Sequence, residues 1–388
     1  MKTIRWVGGL LVLLALVLKL TGHGYIGKAL YATYLQGHRT ANIDDAHNFD
    51  QRVIAKGAVT AWPQAANYNQ QTLSEPMLKH HQQYGTAAFL VAQHGKLVHE
   101  QYFAPYNAQS RTNSFSMAKT ITTLQVGRAI KEGFISGFDA PLTEQIKEYA
   151  NDPRGSKATV AQLSGMKSGH EWDENYYLPL NMTAELYYGK DAQALVLSHG
   201  FEREPGTAFE YSSGSTQLLG VFLKRALQAK DANLTISQHL SRSLWAPLGM
   251  GSDATYTLDR AGDQGGMERT YCCIFATAQD FARIGQLLLQ DGQWNGQQLL
   301  DKAFIERMRK PDLQPFYGHS LWMDWNYKHP FYLMQGHEGQ YVIVVPSLDM
   351  VVVRTGQHRN MTNFVPNVQI PLEVYHFVDE AVRLVQTK

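Results

Sequence analysis

The segment SFSMAKT (114–120) places Ser116 three residues ahead of Lys119. On a helix that spacing puts both side chains on one face, the lysine one turn beyond the serine. A serine hydroxyl is a weak nucleophile until a base takes its proton. A lysine can be that base when desolvation and a positive helix end lower its pKa. Backbone N–H groups at a helix start would also stabilise an oxyanion. The chemistry implied is acyl transfer from an ester or amide through a covalent acyl-serine. Spacing alone is weak, because about one Ser-x-x-Lys arises by chance in a chain of this length. A second such pair is present, Ser164 and Lys167 in LSGMK.

Position separates the two pairs. Ser116 follows a strand-rich region and opens a run in which Ile121, Leu124 and Ile130 have helical spacing, while Met117 and Ala118 surround Lys119 with apolar groups. Ser164 ends the helical stretch TVAQLSGMKSG with Gly165 directly behind it. That is the negative end of a helix, where an alkoxide is disfavoured. Ser116 is therefore the expected nucleophile and Lys119 its base. Such a pair needs a second proton carrier from another segment, commonly a tyrosine. No G-x-S-x-G elbow is present, and His170-Glu171 and His337-Glu338 each lack the second histidine of H-E-x-x-H. A metal site, a phosphate loop and a dinucleotide fingerprint are likewise missing from the pattern.

The elements that must position these groups are legible at both ends. TAAFLVAQHGKLVHEQYF (86–103) reads as two strands around a tight turn at His94-Gly95. HSLWMDWN, QYVIVVP and MVVVRTG return to strand character near the C-terminus, the last pair joined by a turn at 346–349, and 371–385 reads as a closing helix. Between them, about 131–310 carries helical patterns, the clearest at DFARIGQLLLQDG (280–292) with its glycine stop. The expected fold class is α+β: one antiparallel sheet built from the N- and C-terminal parts, flanked by helices, with an all-helical insertion. That architecture brings residues near 116 and near 340 to a common seam. Residues 24–75 are polar and irregular and read as a linker or wrapping segment ahead of a domain spanning 76–388.

SFSMAKT, FEYSSGSTQLLG (209–220) and GHEGQYVIVVPSLDMVVVRTG (336–356) together resemble, in order and separation, the three boxes of the serine β-lactamase and penicillin-binding-protein superfamily. The likeness is to the class C β-lactamase-related branch, with its esterases, D-amino peptidases and 6-aminohexanoate-dimer hydrolase. It extends over about 80–385, through KATVAQLSGMKSG and YCCIFATAQDFARIGQLLLQDGQWNGQQLL. The resemblance implies a β-lactamase-like fold and no cofactor. It makes Ser116 the acylated residue, Lys119 its base and Tyr211 the second proton carrier. Ser213 stands third in the YSS box. His337-Glu338-Gly339 replaces a Lys-Thr-Gly strand, with His337, Gly339 and Ser213 facing substrate. The backbone N–H groups of Ser116 and Gln340 would form the oxyanion hole. The loop GHEWDENYYLPL (169–180) would border the pocket and bring Trp172 and Tyr176 to the substrate.

Two departures bear on substrate. A histidine at 337 is a weaker, pH-dependent anion partner than lysine, and Ser213 replaces an amide-binding asparagine. Both point away from penicillin hydrolysis and towards an esterase or amidase acting on a small or peptide-like substrate. The alternatives are a penicillin-binding or cell-wall-fragment sensor with little turnover, and a DD-peptidase or β-lactamase.

Composition sets the outer bounds. With 44% hydrophobic residues and a net charge of +1, the 388-residue chain is globular and has no electrostatic field for nucleic acid. Its two cysteines, Cys272 and Cys273, are adjacent. Their pairing would need a strained ring, so they are expected to be two small buried thiols. Lys2 and Arg5 precede an apolar run from Trp6 to Leu18 with no small-residue cleavage site. Ile4–Leu20 could just span a bilayer. Residues 1–23 are thus expected to be an uncleaved signal-anchor, with the domain in the periplasm or extracellular space, or secreted if the segment is cut. Nothing in the sequence sets an oligomeric state.

Overall fold

The apolar runs at the two ends of the chain assemble side by side. A computed structural model describes Trp6, Leu13 and residues 16–386 except 177 and 179. In chain order the strands are β1 (Gln51–Ile54), β2 (Thr86–Gln93), β3 (Lys96–Tyr102), β4 (Thr112–Asn113), β5 (Ala254–Thr257), β6 (Ile274–Ala276), the small hairpin β7 (Gln293–Trp294) and β8 (Gln297–Gln298), β9 (Trp322–Asp324), β10 (Phe331–Gly336), β11 (Gln340–Val345) and β12 (Met350–Gly356). Six of them form the main sheet in the order β3-β2-β12-β11-β10-β9, every neighbour antiparallel. The early hairpin and the late strands do share one sheet, as expected. The hairpin turn has His94 at φ 50° and Gly95 at φ 69°, the left-handed pair that a two-residue turn requires.

Continuous apolar runs in β11 and β12 follow from burial on both faces. Val342, Val344, Val351 and Val353 face one core with Phe281 and Ile284 of the helix Ala278–Leu289. Tyr341, Ile343, Val345 and Val352 face the other with Phe377 and Val378 of the closing helix Leu372–Val385. The strands therefore lose the polar alternation of a half-exposed sheet.

Two expectations need correction. The stretch 131–310 is not all helical, because it contains β5 and β6 and the β7–β8 hairpin. Strands of two to four residues are too short to show a readable period. The reading of 24–75 as a linker or wrapping segment also left out its secondary structure. The segment supplies β1, which completes a second sheet of order β1-β5-β6-β4, and a helix, Tyr25–Ala32, that packs on the helix Met182–Tyr188. The signal-anchor assigned to 1–23 falls mostly outside the described residues; among those described, no helix is long and apolar enough to cross a membrane.

The small sheet positions Ser116. β4 pairs with β6, and the next residue, Ser114, donates its N–H to Ile274 O at 2.8 Å while its Oγ accepts from Ile274 N at 3.1 Å. Phe115 then takes φ 42°, with its N–H held at 3.0 Å by Asn113 Oδ1. This sharp, non-glycine left-handed turn swings the chain into the helix Met117–Lys131 and leaves Ser116 at its N-cap.

Candidate active site

Lys119 sits inside this helix and is 1% exposed. Its Nζ lies 3.0 Å from Ser116 Oγ, 3.0 Å from Ser213 Oγ and 3.2 Å from the carbonyl oxygen of Tyr271. Burial lowers its pKa to about 8, against the opposing pull of the Glu174 carboxylate. Three acceptors match the three N–H bonds of an ammonium. After loss of one proton, two N–H groups remain for Ser213 and Tyr271, and the freed lone pair faces the Ser116 hydroxyl. Ser116 itself stays partly exposed.

Tyr211 approaches from the segment before the helix Ser213–Gln228. Its hydroxyl bonds to Ser116, and burial, reinforced by the Glu174 charge, raises its pKa. It is therefore a neutral phenol that can give a proton, not a standing phenolate. Its ring centre lies 5.0 Å from Lys119 Nζ. Ser213 opens the helix, whose N-cap, Ser212, accepts from Ser215 N at 2.9 Å.

Glu174 was not singled out by the sequence, yet it ties the site together. Its two oxygens accept from Ser213 N at 2.7 Å, Ser213 Oγ at 2.7 Å, Trp172 Nε1 at 2.9 Å and the Tyr176 hydroxyl. A carboxylate at a helix start is favoured by the dipole and by the free N–H. Here it also locks the 169–180 loop to the residue that holds Lys119. An acid among the aromatics of GHEWDENYY was the only available signal.

The cysteine expectation is corrected. Cys272 and Cys273 are both buried, but they are bonded to each other. Cys273 takes φ 74°, and this backbone turn allows neighbouring sulfurs to meet. The pair directly follows Tyr271, whose carbonyl holds Lys119.

Ser116, Tyr176 and His337 line two adjoining chambers, of about 160 Å³ and about 470 Å³. Ser213 lines the smaller and Tyr211 the larger. The His337 ring stacks on Tyr176 at 5.3 Å and meets the edge of Phe115 at 5.5 Å. Its Nε2 lies 3.2 Å from Glu338 Oε1.

Three expected substrate contacts are displaced. Trp172 lines neither chamber; it is buried over Gly214, where a Cβ would come within 2.2 Å of its ring. Gly339 also lines neither. It has φ 82°, and a Cβ there would meet Arg354 Nη1 at 2.5 Å, so the fold, not a ligand, requires the glycine. Gln340 opens β11 with its side chain bonded to Gly356 and to His337 O. It too is absent from the chamber walls, whereas Gly336 and His337, just before it, are present. Among the described residues there is no group of metal-ligating side chains.

Fold and arrangement together are those of a β-lactamase-like domain in which a serine, a buried lysine and a tyrosine meet. The Beta-lactamase family model matches residues 65–367, and the chain belongs to that family. A 6-aminohexanoate-dimer hydrolase from Paenarthrobacter ureafaciens is 27% identical over 234 residues, 57% of this chain. The match spans 56% of that relative's own length. Among solved structures, a Bacillus anthracis protein provisionally named a 6-aminohexanoate-dimer hydrolase superposes with a TM-score of 0.73 at 23% identity, covering 92% of this chain and 95% of its own. A family VIII carboxylesterase gives 0.58 at 17% identity over 81% of this chain and 99% of its own.

Proposed function

We propose that the protein hydrolyses an ester or amide through an acyl-enzyme on Ser116, with Lys119 and Tyr211 as proton carriers. The observation that carries this reading is the buried Lys119 ammonium site, bounded by Ser116 Oγ, Ser213 Oγ and Tyr271 O. Neutral Lys119 takes the Ser116 proton as Oγ attacks the carbonyl carbon. The oxyanion is held by the Ser116 N–H at the helix start. Tyr211 gives its proton to the departing oxygen or nitrogen as the bond from the carbonyl carbon to that atom breaks, and recovers one from Lys119. Water then attacks the acyl-serine, its proton returning through the same pair, and the free acid leaves.

The relatives named as 6-aminohexanoate-dimer hydrolase and carboxylesterase support an amide or ester substrate. His337 beside Glu338 supports a site that does not bind a β-lactam carboxylate at that position. The basic then apolar start of the chain supports an exported enzyme held at the membrane by residues 1–23. Turnover of p-nitrophenyl butyrate by wild type and by folded Ser116→Ala tests the reading. Activity should vanish in the variant; turnover that persists there would overturn it.

A further inference from the structure

We infer that the enzyme selects substrates with an uncharged hydrocarbon acyl chain and a leaving group that carries a carboxylate. This rests on the acyl-enzyme reading above and assigns one chamber to each half of the substrate. Tyr211 lines the larger chamber and not the smaller. A leaving group departs on the side of the group that protonates it, so the larger chamber receives it. The acyl chain left on Ser116 then occupies the smaller chamber.

The smaller chamber is walled by apolar and aromatic groups, among them Leu30, Phe115, Leu178 and Tyr187. Its single charged wall residue among the described ones is Arg39, exposed at the rim. No carboxylate is present there to receive an ω-ammonium, and Arg39 would repel one. Leu30 and Arg39 precede residues 65–367, the extent of the family match.

The larger chamber contains Glu174 and Arg359. Glu174 is engaged by four donors from Ser213, Trp172 and Tyr176. Arg359 has no carboxylate partner among the described residues; its Nε reaches the Met361 sulfur at 3.3 Å and its guanidinium lies 5.5 Å from the Phe364 ring centre. The His337 Nε2 lies 3.2 Å from the Glu338 carboxylate, which would compensate a charge there. The uncompensated charge facing a leaving group is thus the Arg359 guanidinium, whose planar fork suits a carboxylate.

The test compares two esters of glycolic acid and one of glycolamide with the full chain: hexanoyl glycolate, its neutral glycolamide counterpart, and 6-aminohexanoyl glycolate. In each, Ser116 Oγ bonds to the carbonyl carbon, the C–O bond to the glycolate or glycolamide oxygen breaks, and Tyr211 protonates the released oxygen. Hexanoyl glycolate should exceed each of the other two in kcat/KM by about tenfold or more. The anion preference should collapse in Arg359→Gln, survive in part in Arg359→Lys, and fall with rising salt in wild type. Leu30→Glu should shift the acyl preference towards the 6-aminohexanoyl ester. Equal rates on either comparison, or an undiminished anion preference in Arg359→Gln, would overturn the assignment. If wild type still turns over p-nitrophenyl butyrate, only the substrate assignment falls. If it turns over none of these esters and Ser116 takes no fluorophosphonate, the hydrolase reading falls with it.

Discussion

The two Ser-x-x-Lys pairs of this chain share a spacing and nothing else. Ser116 caps the start of a helix and Lys119 lies within it, buried, with two serine hydroxyls and a carbonyl around its nitrogen. Ser164 is the last residue of the short helix Val160–Ser164, and Lys167 lies beyond its end. Ser164 is fully buried, its Oγ bonded to Ala161 O at 3.1 Å and His319 Nδ1 at 3.0 Å, while Lys167 pairs with Asp312 near the surface. A lysine among neutral oxygens, out of water, can lose its proton near neutral pH. The surroundings decide whether a serine is a nucleophile or a packing residue.

The largest effects separate the pairs most sharply. Ser116→Ala should lower kcat/KM on p-nitrophenyl butyrate by about 10⁴-fold or more, and Lys119→Ala by a similar factor, since such residues act as a unit. Tyr211→Phe should cost about 10²–10⁴-fold, with the greater loss on substrates whose leaving group needs a proton. In wild type, activity should fall about tenfold per pH unit below a midpoint near 8, because Lys119, with a pKa of about 8, is protonated and inactive there. Rate profiles from pH 5 to 10 check this.

Glu174→Gln probes the positioning of Lys119. Losing charge-assisted bonds to Ser213 and the loop should cost about 10–100-fold. The negative charge of Glu174 favours the Lys119 ammonium, so its removal should also move the acid limb of the profile to lower pH. A purely structural role would reduce the rate without moving that limb. Ser164→Ala should give the smallest change: activity within about twofold of wild type, and a stability loss of roughly 1 kcal/mol from the lost bonds to His319 and Ala161. Urea unfolding measures it.

The legible parts of this chain were those with a period or a motif. The hairpin at 86–103, the late strands, the helix at 280–292 and the meeting of residues near 116 with those near 340 follow from runs long enough to repeat. Ser116, Lys119, Tyr211, Ser213 and His337, from the three boxes, and Tyr176, from the 169–180 loop, lie near one another. What was illegible depends on the fold's third dimension. β5 and β6 are too short to carry a pattern, Glu174 gains its meaning only from the four donors that meet it, and adjacency alone does not signal the Cys272–Cys273 bond. Trp172 and Gly339 sit in the right segments but face the core and Arg354 rather than a chamber.

The central claim, that Ser116 and not Ser164 is the acylated residue, is tested most directly by intact mass and peptide mapping after exposure to a fluorophosphonate. Wild type and Ser164→Ala should each gain one adduct, on the peptide containing Ser116, and folded Ser116→Ala should gain none. An adduct that persists in Ser116→Ala, or that maps to Ser164, would contradict it.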